Sequence, residues 1–435
     1  MNQIRRRAAY AAGAVILAIV MLVSACSSSG SSTASSATGP SGTTAAAGPA
    51  PTGASPTGAP IVLGYICTCS GAQAASTALI KDGADAWAKS VNAAGGVNGH
   101  PVKLYIMDDG GDPTTALQQV KQLVEQDKVM AIVGDNTLTD VSWASYVASK
   151  GIPVVGGNPS EPPFQSNPDF FASGSLLPVI VVGDMIEMKK QGKSHYGLLY
   201  CAESPVCAEE INLYKLSASV AGGVSVTNGE VAATSPNYTS QCLALKSAGV
   251  DAMTVQTNAA TGLRVIDNCK QLGYAPLNVT VQPVTGQDWL SDPNVTGSII
   301  TAYNANYQDS SVPGVKAFLN AMAKYHPSDL NSPQFNQLVM LPWVAGELFQ
   351  AAAKAANIGP ASTPEDVKKG LYALKNETLD GLAPPLNFTP GKVSWASCYF
   401  VVSINGGKFT SSDGPNPKCL SDAQVTQLKN DFGTH

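Results

Sequence analysis

The sequence predicts an α/β fold in which parallel sheets are covered by helices on both faces. From Ile61 to Ala302, short apolar runs alternate with segments whose apolar residues recur at helical spacing. Hydrophobic residues make up 44% of the 435 positions and charged residues 13%, which supplies large apolar cores and excludes a globally disordered chain. At about 150 residues per domain, the length predicts two or three domains.

The N-terminus has the order of features found in a bacterial lipoprotein export signal. Arginines occupy residues 5–7, an uncharged apolar run covers residues 11–23, and Val-Ser-Ala directly precedes Cys26. The run is shorter than the roughly 20 residues that cross a bilayer. The segment resembles the lipobox, which implies removal of residues 1–25 and a lipid on Cys26. The alternative is an ordinary secretory signal that is cleaved after small residues.

A tether is predicted between this signal and the first strand. Residues 27–60 contain only Ser, Gly, Thr, Ala and Pro, so the segment 26–60 cannot bury a core.

The formal net charge is −5, and basic residues are not clustered beyond the start. We therefore expect no nucleic-acid-binding surface.

Apolar runs predict eight strands along the body of the chain. They lie at residues 61–66, 102–107, 129–133, 152–155, 195–200, 252–255, 279–282 and 299–302. Between the first two, Leu79, Trp87 and Val91 share one helical face, and Asp112 is a plausible cap for the next helix. Further helices are predicted at 315–325, at 335–356 and after Thr363.

Several motifs occur in a fixed order along the same body. They are Ser70-Gly71, the turn Asn-Ala-Ala-Gly-Gly-Val-Asn-Gly at 92–99, Asp108-Asp109 with Asp112-Pro113, Ile-Val-Gly at 132–134, and Gly-Ile-Pro-Val-Val at 151–155. In this order and spacing, residues 61–405 resemble the substrate-binding lipoproteins of branched-chain amino acid ABC transporters. This is the leucine/isoleucine/valine-binding protein family, which has the type I periplasmic binding protein fold.

The resemblance implies two doubly wound α/β lobes that are joined by three hinge crossovers. The first lobe is expected to comprise residues 61–178 and 305–384, and the second residues 179–304 and 385–435. The ligand is expected in the cleft between them, beyond the carboxyl ends of the strands. The implied role is a monomeric, lipid-anchored binding protein on the outer face of the cytoplasmic membrane, with ABC permease subunits as partners. The alternative is a sensor of the same fold that signals to a membrane partner.

Polar residues that follow the strands are the candidates for ligand binding. They are Ser76, Thr137, Asn158 and Ser160 in the first lobe, and Asn258 and Gln282 in the second. The resemblance implies that Thr137 holds a ligand carboxylate and that Asn158 and Ser160 supply donors beside it. For each residue the alternative is a loop side chain that hydrogen-bonds its own backbone.

Two departures from the family pattern bear on the ligand. Ser76 stands where the family often has an aromatic ring, and no acid lies at residues 282–284, where amino-acid binders pair the ligand ammonium. The nearest acid is Asp288, six residues after Gln282. Because a buried unpaired ammonium costs several kcal/mol, we expect a small polar carboxylate or amide rather than an aliphatic amino acid.

Eight cysteines remain after Cys26, which is an even number. They are Cys67, Cys69, Cys201, Cys207, Cys242, Cys269, Cys398 and Cys419. Outside the membrane, disulfides are more probable than a metal site, although the connectivity stays open. One pairing is predicted from placement, because Cys242 and Cys269 lie on helices that flank the 252–255 strand and share one sheet face.

Nothing in the sequence predicts catalysis, a cofactor or a metal site. The four histidines form no pair at i, i+4 spacing, and no Gly-x-Ser-x-Gly elbow occurs. Asp108 and Asp109 are adjacent on a strand, so their carboxylates point to opposite faces and do not converge. We therefore expect a binding protein rather than an enzyme.

Overall fold

The computed structural model describes residues 56–203 and 205–432, in which the strands form two separate main sheets. The predicted export signal, Cys26 and the tether up to residue 55 lie outside the described residues. We call the units built on the two sheets lobe 1 and lobe 2. The predicted α/β class is therefore observed, while the predicted lobe boundaries at residues 178, 304 and 384 stay predictions.

Lobe 1 contains a five-stranded parallel sheet in the order β2-β1-β3-β4-β5. Its strands are β1 (Ile61–Cys67), β2 (Val102–Asp108), β3 (Ile132–Asn136), β4 (Val154–Gly157) and β5 (Phe170–Phe171). The helices between them are α1 (Ala74–Thr77), α2 (Ile80–Ala93), α3 (Pro113–Glu125), α4 (Ala144–Ser149) and α5 (Pro162–Ser166). Helix α3 begins as predicted, because the Asp112 side chain accepts a hydrogen bond from the Thr115 amide at 2.7 Å.

Lobe 2 continues the same alternation with parallel strands. The strands are β6 (His195–Cys201), β7 (Ser225–Val231), β8 (Ala252–Gln256), β9 (Leu277–Val281) and β10 (Ile299–Ala302), and the helices are α6 (Leu177–Lys190), α7 (Glu210–Val220), α8 (Thr239–Ser247) and α9 (Ala259–Gln271). The sequence alone does not predict β7. Only Val231 among its seven residues is buried and its exposed residues are polar, which is consistent with its place at the edge of the sheet.

The chain then returns to lobe 1 through helices α10 (Pro313–Tyr325), α11 (Gln337–Ala355) and α12 (Pro364–Ala373). Helix α11 packs on α2, β3 and β4. The approach of α2 to α11 depends on two glycines. A Cβ at Gly83 would clash with the Val339 carbonyl oxygen, and a Cβ at Gly346 would clash with the Trp87 indole. The predicted cap of α12 is present, because Thr363 and Asp366 form a reciprocal capping box.

The last strands complete the sheet of lobe 2. The hairpin β11 (Lys375–Glu377) and β12 (Leu386–Asn387) is followed by β13 (Cys398–Asn405), β14 (Lys408–Thr410), β15 (Lys418–Cys419) and α13 (Asp422–Asp431). Strand β13 joins β10 antiparallel, which gives the order β14-β13-β10-β9-β8-β6-β7. The final helix α13 packs against α7, so the C-terminal segment belongs to lobe 2.

Three passages of the chain lie side by side between the lobes. The Ser175 amide donates to the Tyr303 carbonyl at 3.1 Å, and the Ala305 amide donates to the Leu382 carbonyl at 2.9 Å. The Ser175 hydroxyl also donates to the Cys398 carbonyl. Backbone hydrogen bonds therefore connect the crossovers where the family fold has its hinge.

The eight cysteines that follow Cys26 all form disulfides in the structure. The pairs and their Cα separations are Cys67–Cys69 at 5.3 Å, Cys201–Cys207 at 5.5 Å, Cys242–Cys269 at 5.1 Å and Cys398–Cys419 at 3.8 Å. Cys242 and Cys269 join α8 to α9 on one face of the lobe 2 sheet, as the placement of these helices predicts.

Candidate functional site

A cleft of about 490 Å³ lies between the two lobes. Lobe 1 contributes residues 72–76, which follow β1, and residues 333–336, which precede α11. Lobe 2 contributes residues 258–260 after β8 and residues 283–288 after β9. Most of the lining therefore comes from loops beyond the carboxyl ends of parallel strands, which is where α/β proteins bind ligands.

Two of the six predicted ligand residues line this cleft. Ser76 lies in α1, where its hydroxyl donates to the Gln73 carbonyl at 3.3 Å. Asn258 is exposed and caps α9, since its side-chain oxygen accepts from the Thr261 amide at 2.9 Å. The oxygen is occupied by the cap, so the amide nitrogen is the group that Asn258 can present to the cleft.

Gln282 lies immediately behind the cleft lining. It follows β9 directly, its residue is only 1% exposed, and its neighbour Pro283 is part of the lining. Within the described part of the chain, neither polar atom of its side chain has a hydrogen-bond partner. Gln282 is therefore a buried amide beside the cleft rather than a residue of the open wall.

The other three predicted residues are not among the lining residues. Thr137 is buried, and both its amide and its hydroxyl donate to one Asp135 carboxylate oxygen at 3.2 Å. Ser160 donates to the Asn158 side-chain oxygen at 2.8 Å and shares a 2.7 Å hydrogen bond with the Tyr303 hydroxyl. Asn158 donates in turn to Glu161 at 3.0 Å. The structure thus gives these side chains other side chains as partners rather than their own backbone, and their part in ligand binding stays a prediction.

Behind these residues lobe 1 buries the carboxyl groups of Asp135 and Asp140 and half-buries that of Glu161. Burial raises the pKa of Asp140 to about 7. Burial, together with the nearby Asp140 charge, raises the pKa of Glu161 to about 8 and that of Asp135 well above its ordinary value. Each of these carboxyls therefore keeps its proton to a higher pH than an exposed acid does.

Several residues that line the cleft were not predicted as ligand residues from the sequence. Asp288 is exposed and lines the lobe 2 wall, so the cleft contains a carboxylate even though residues 282–284 contain none. Asn336 lines the opposite wall, caps α11 through the Leu338 amide and donates to the Ser76 carbonyl at 3.0 Å. Its only signal in the sequence is an Asn at a helix start. Gln334 likewise donates to the Ala74 carbonyl at 3.2 Å.

The two walls of the cleft are already connected by one side chain. Gln287 in lobe 2 donates to the Phe335 carbonyl at 3.1 Å and to the Tyr307 hydroxyl at 3.1 Å. Phe335 lies at the start of the segment that leads into α11, which packs on the lobe 1 sheet. The Gln287 amide therefore bridges the lobes next to the lining residues.

Two α/β lobes, three crossovers and a polar cleft between the lobes define a class of ligand-binding proteins, the type I periplasmic binding proteins. The comparison with known families agrees, since the family described as "Periplasmic binding protein" matches residues 60–408. The chain belongs to this family. Its members are extracytoplasmic binding proteins, and the protein is accordingly a binding protein and not an enzyme.

Two solved structures with this fold align with this chain over nearly their whole length. One is a branched-chain amino acid ABC transporter protein of Thermus thermophilus, solved with bound valine. It has a TM-score of 0.71 at 16% identity, and the alignment covers 84% of this chain and 98% of the Thermus chain. A fatty acid ABC transporter substrate-binding protein of Thermomonospora curvata has a TM-score of 0.69 at 18% identity and covers 86% and 95%. At these identities the likeness shows the fold alone.

A curated relative matches a shorter segment. An amino acid binding protein of Pseudomonas aeruginosa is 40% identical over 76 residues, which is 18% of this chain and 20% of that protein. The match therefore spans about a fifth of the relative. Within residues 56–203 and 205–432, no helix is both long enough and apolar enough to cross a membrane.

Proposed function

We propose that the protein is the solute-binding component of an ABC importer, anchored by a lipid on Cys26, and that it binds a small polar ligand in the cleft. The observation that carries the proposal is that one cleft is lined by polar groups from both lobes. The family supports it, and so does the lipobox-like sequence before Cys26. The tether would place the body outside the membrane, where a permease can engage it.

Binding would proceed by bending at the three crossovers. A ligand that contacts Ser76 and Asn258 together touches both lobes, so it stabilises the arrangement in which the walls are close. Gln287 would support the same arrangement, because its bonds to Phe335 and Tyr307 need both walls in place. The ligand can favour closure only by the difference between its affinities for the two arrangements.

The chemistry of the walls suggests a ligand with two polar ends. The lobe 1 wall is neutral and offers the side chains of Gln73 and Ser76, which suit a carboxylate or an amide. The lobe 2 wall offers the Asn258 amide and the Asp288 carboxylate. We therefore propose a small carboxylate, amide or amino-acid-like ligand whose hydrogen-bond donor faces Asp288. The aliphatic amino acids excluded on sequence grounds become testable candidates again.

The first experiment identifies the ligand and then tests Asp288. Native mass spectrometry of freshly purified protein would reveal a ligand carried through purification. Calorimetry would then compare that ligand with leucine, isoleucine and valine, in the wild type and in Asp288→Asn. If the ligand donates to Asp288 through an ammonium group, we expect about a tenfold loss of affinity, or roughly 1.4 kcal/mol.

The control is Glu365→Gln, which removes an exposed acid from α12, outside the cleft. It should leave the affinity unchanged. An affinity that rises in Asp288→Asn would instead identify an anionic ligand that the carboxylate repels. A ligand that binds equally well to both variants and to wild type would contradict the assignment of Asp288 to the site.

A further inference from the structure

A cluster of three acids and one histidine lies on lobe 1 outside the cleft. His326 follows the last residue of α10, Asp82 and Asp85 lie on α2, and Asp329 begins a short 3-10 turn. None of the four residues lines the cleft. They do belong to the two segments that form its lobe 1 wall, because α2 follows residues 72–76 and Asp329 precedes residues 333–336.

The imidazole of His326 is oriented by Asp85. Its Nε2 lies 2.6 Å from Asp85 Oδ2, and the same oxygen receives Lys89 Nζ at 2.6 Å. A carboxylate that is held by a lysine is a hydrogen-bond acceptor, so the imidazole places a proton on Nε2. The neutral ring then carries its lone pair on Nδ1, on the side away from Asp85.

The Nδ1 atom faces two further carboxylates. It lies 3.8 Å from Asp82 Oδ1 and 4.0 Å from Asp329 Oδ2, and both distances exceed a hydrogen bond. These three atoms lie within 4.8 Å of one another. Asp329 is only 9% exposed, and its Oδ2 has no hydrogen-bond partner among the described residues. With the imidazole neutral, three acceptor atoms therefore converge.

This arrangement fits a metal ion. Ligands about 2.1 Å from a tetrahedral Zn²⁺ lie roughly 3.4 Å apart, so each of the two Nδ1–carboxylate distances would contract by about half an ångström on binding. One imidazole and two carboxylates suit a divalent transition metal, whereas Mg²⁺ and Ca²⁺ prefer oxygen ligands alone. The second ring nitrogen of a metal-binding histidine usually donates to a carboxylate, which fixes the orientation of the ring, and Asp85 occupies that place.

We propose that Asp82, His326 and Asp329 bind one divalent transition-metal ion, with Zn²⁺ as the best fit and Asp85 as a positioning residue. The ion ties the start of α2 to the segment before α11. It thereby braces both parts of the lobe 1 wall without touching the cleft.

The test is calorimetric titration of ZnCl₂ into the purified, chelator-treated full chain, prepared without a histidine tag. We expect one Zn²⁺ per chain and a rise in melting temperature on zinc addition. His326→Gln and Asp329→Asn should each lower the affinity at least about tenfold. Asp85→Asn should lower it about tenfold while one site remains.

The matched control is His195→Gln, which removes a histidine that bonds Thr227 in lobe 2. It should bind zinc as the wild type does. Wild-type protein without zinc binding would overturn the proposal, because His326 would then be an imidazolium counter-ion for the three acids. Tighter binding of Ca²⁺ than of Zn²⁺ would overturn it as well. Circular dichroism of each variant distinguishes loss of the site from loss of the fold.

Discussion

The two lobes share one architecture but are stabilised by different means. Lobe 2 contains three of the four disulfides that the structure describes, and these connect β6 to the following turn, α8 to α9, and β13 to β15. The disulfide of lobe 1 joins Cys67 to Cys69 and spans a sequence separation of 2. Covalent links therefore constrain lobe 2 far more than lobe 1.

The two lobes also differ in where they bury acidic side chains. Lobe 1 buries Asp135 and Asp140 and half-buries Glu161 at the carboxyl end of its sheet, and burial raises the pKa of each. Lobe 2 buries Asp184 on α6, where burial raises its pKa to about 8 and the Thr301 hydroxyl donates to it at 2.8 Å. The comparison teaches that both lobes contain acids whose protonation depends on pH, whereas the disulfides constrain mainly lobe 2.

The largest effect is expected from removing the helix-linking disulfide. In Cys242→Ala/Cys269→Ala the unfolded chain regains the freedom of a loop with sequence separation 27. We expect a loss of about 3 kcal/mol in the free energy of unfolding, measured by urea denaturation. The matched variant Cys67→Ala/Cys69→Ala should lose much less, because its loop is so short. Equal losses in the two variants would break the comparison between the lobes.

The second effect concerns pH and lobe 1. Folding raises the pKa of Asp140 from 3.8 to about 7, so between these values the folded state binds more protons than the unfolded state. The stability contributed by this group is therefore fully present below pH 4 and is lost as the pH rises toward 7. Asp140→Asn should flatten this dependence by about 2 kcal/mol between pH 5 and pH 8.

Urea denaturation at both pH values measures the effect on Asp140, with Glu365→Gln as an exposed control. The control should retain the wild-type pH dependence. If Asp140→Asn keeps the wild-type slope, the carboxyl does not retain its proton on folding, and burial does not raise the pKa of Asp140.

The smallest effect separates the two roles of Asn258. Asn258→Ala removes the cap of α9 and should lower the free energy of unfolding by about 1 kcal/mol. Asn258→Ser keeps a capping oxygen but withdraws the amide from the cleft, so it should restore stability without restoring ligand affinity. Thermal unfolding and calorimetry with the copurified ligand would measure the two effects. Recovery of both in the serine variant would limit Asn258 to capping.

Local sequence rules predicted much of the fold. Helix starts at Asp112 and Thr363 followed from side chains that satisfy free amides within one turn. The pairing of Cys242 with Cys269 followed from the handedness of crossovers, which places both helices on one face. Strand β7 did not follow, because half of its residues are polar and only its neighbour β6 shows that it belongs to a sheet.

The cleft was predicted less completely than the fold. Ser76 and Asn258 line the cleft because loops after parallel strands lie at the same edge of a sheet. Asp288 also lies in a loop after a parallel strand, seven residues beyond the end of β9, whereas Asn336 lines the opposite wall from the segment before α11. Sequence spacing measures distance from a strand end, and it cannot tell whether a loop folds back over the cleft.

By itself the sequence determined the alternation of strands and helices, the helix caps, the lipobox-like start and the polar character of the strand ends. Only the tertiary structure decided which polar groups line the cleft. Thr137 turned inward to Asp135, and Asp288 stayed exposed at the opposite wall. The physical reason is that a buried polar side chain without a hydrogen-bond partner costs free energy. Which partner is available to it depends on tertiary packing rather than on the local sequence.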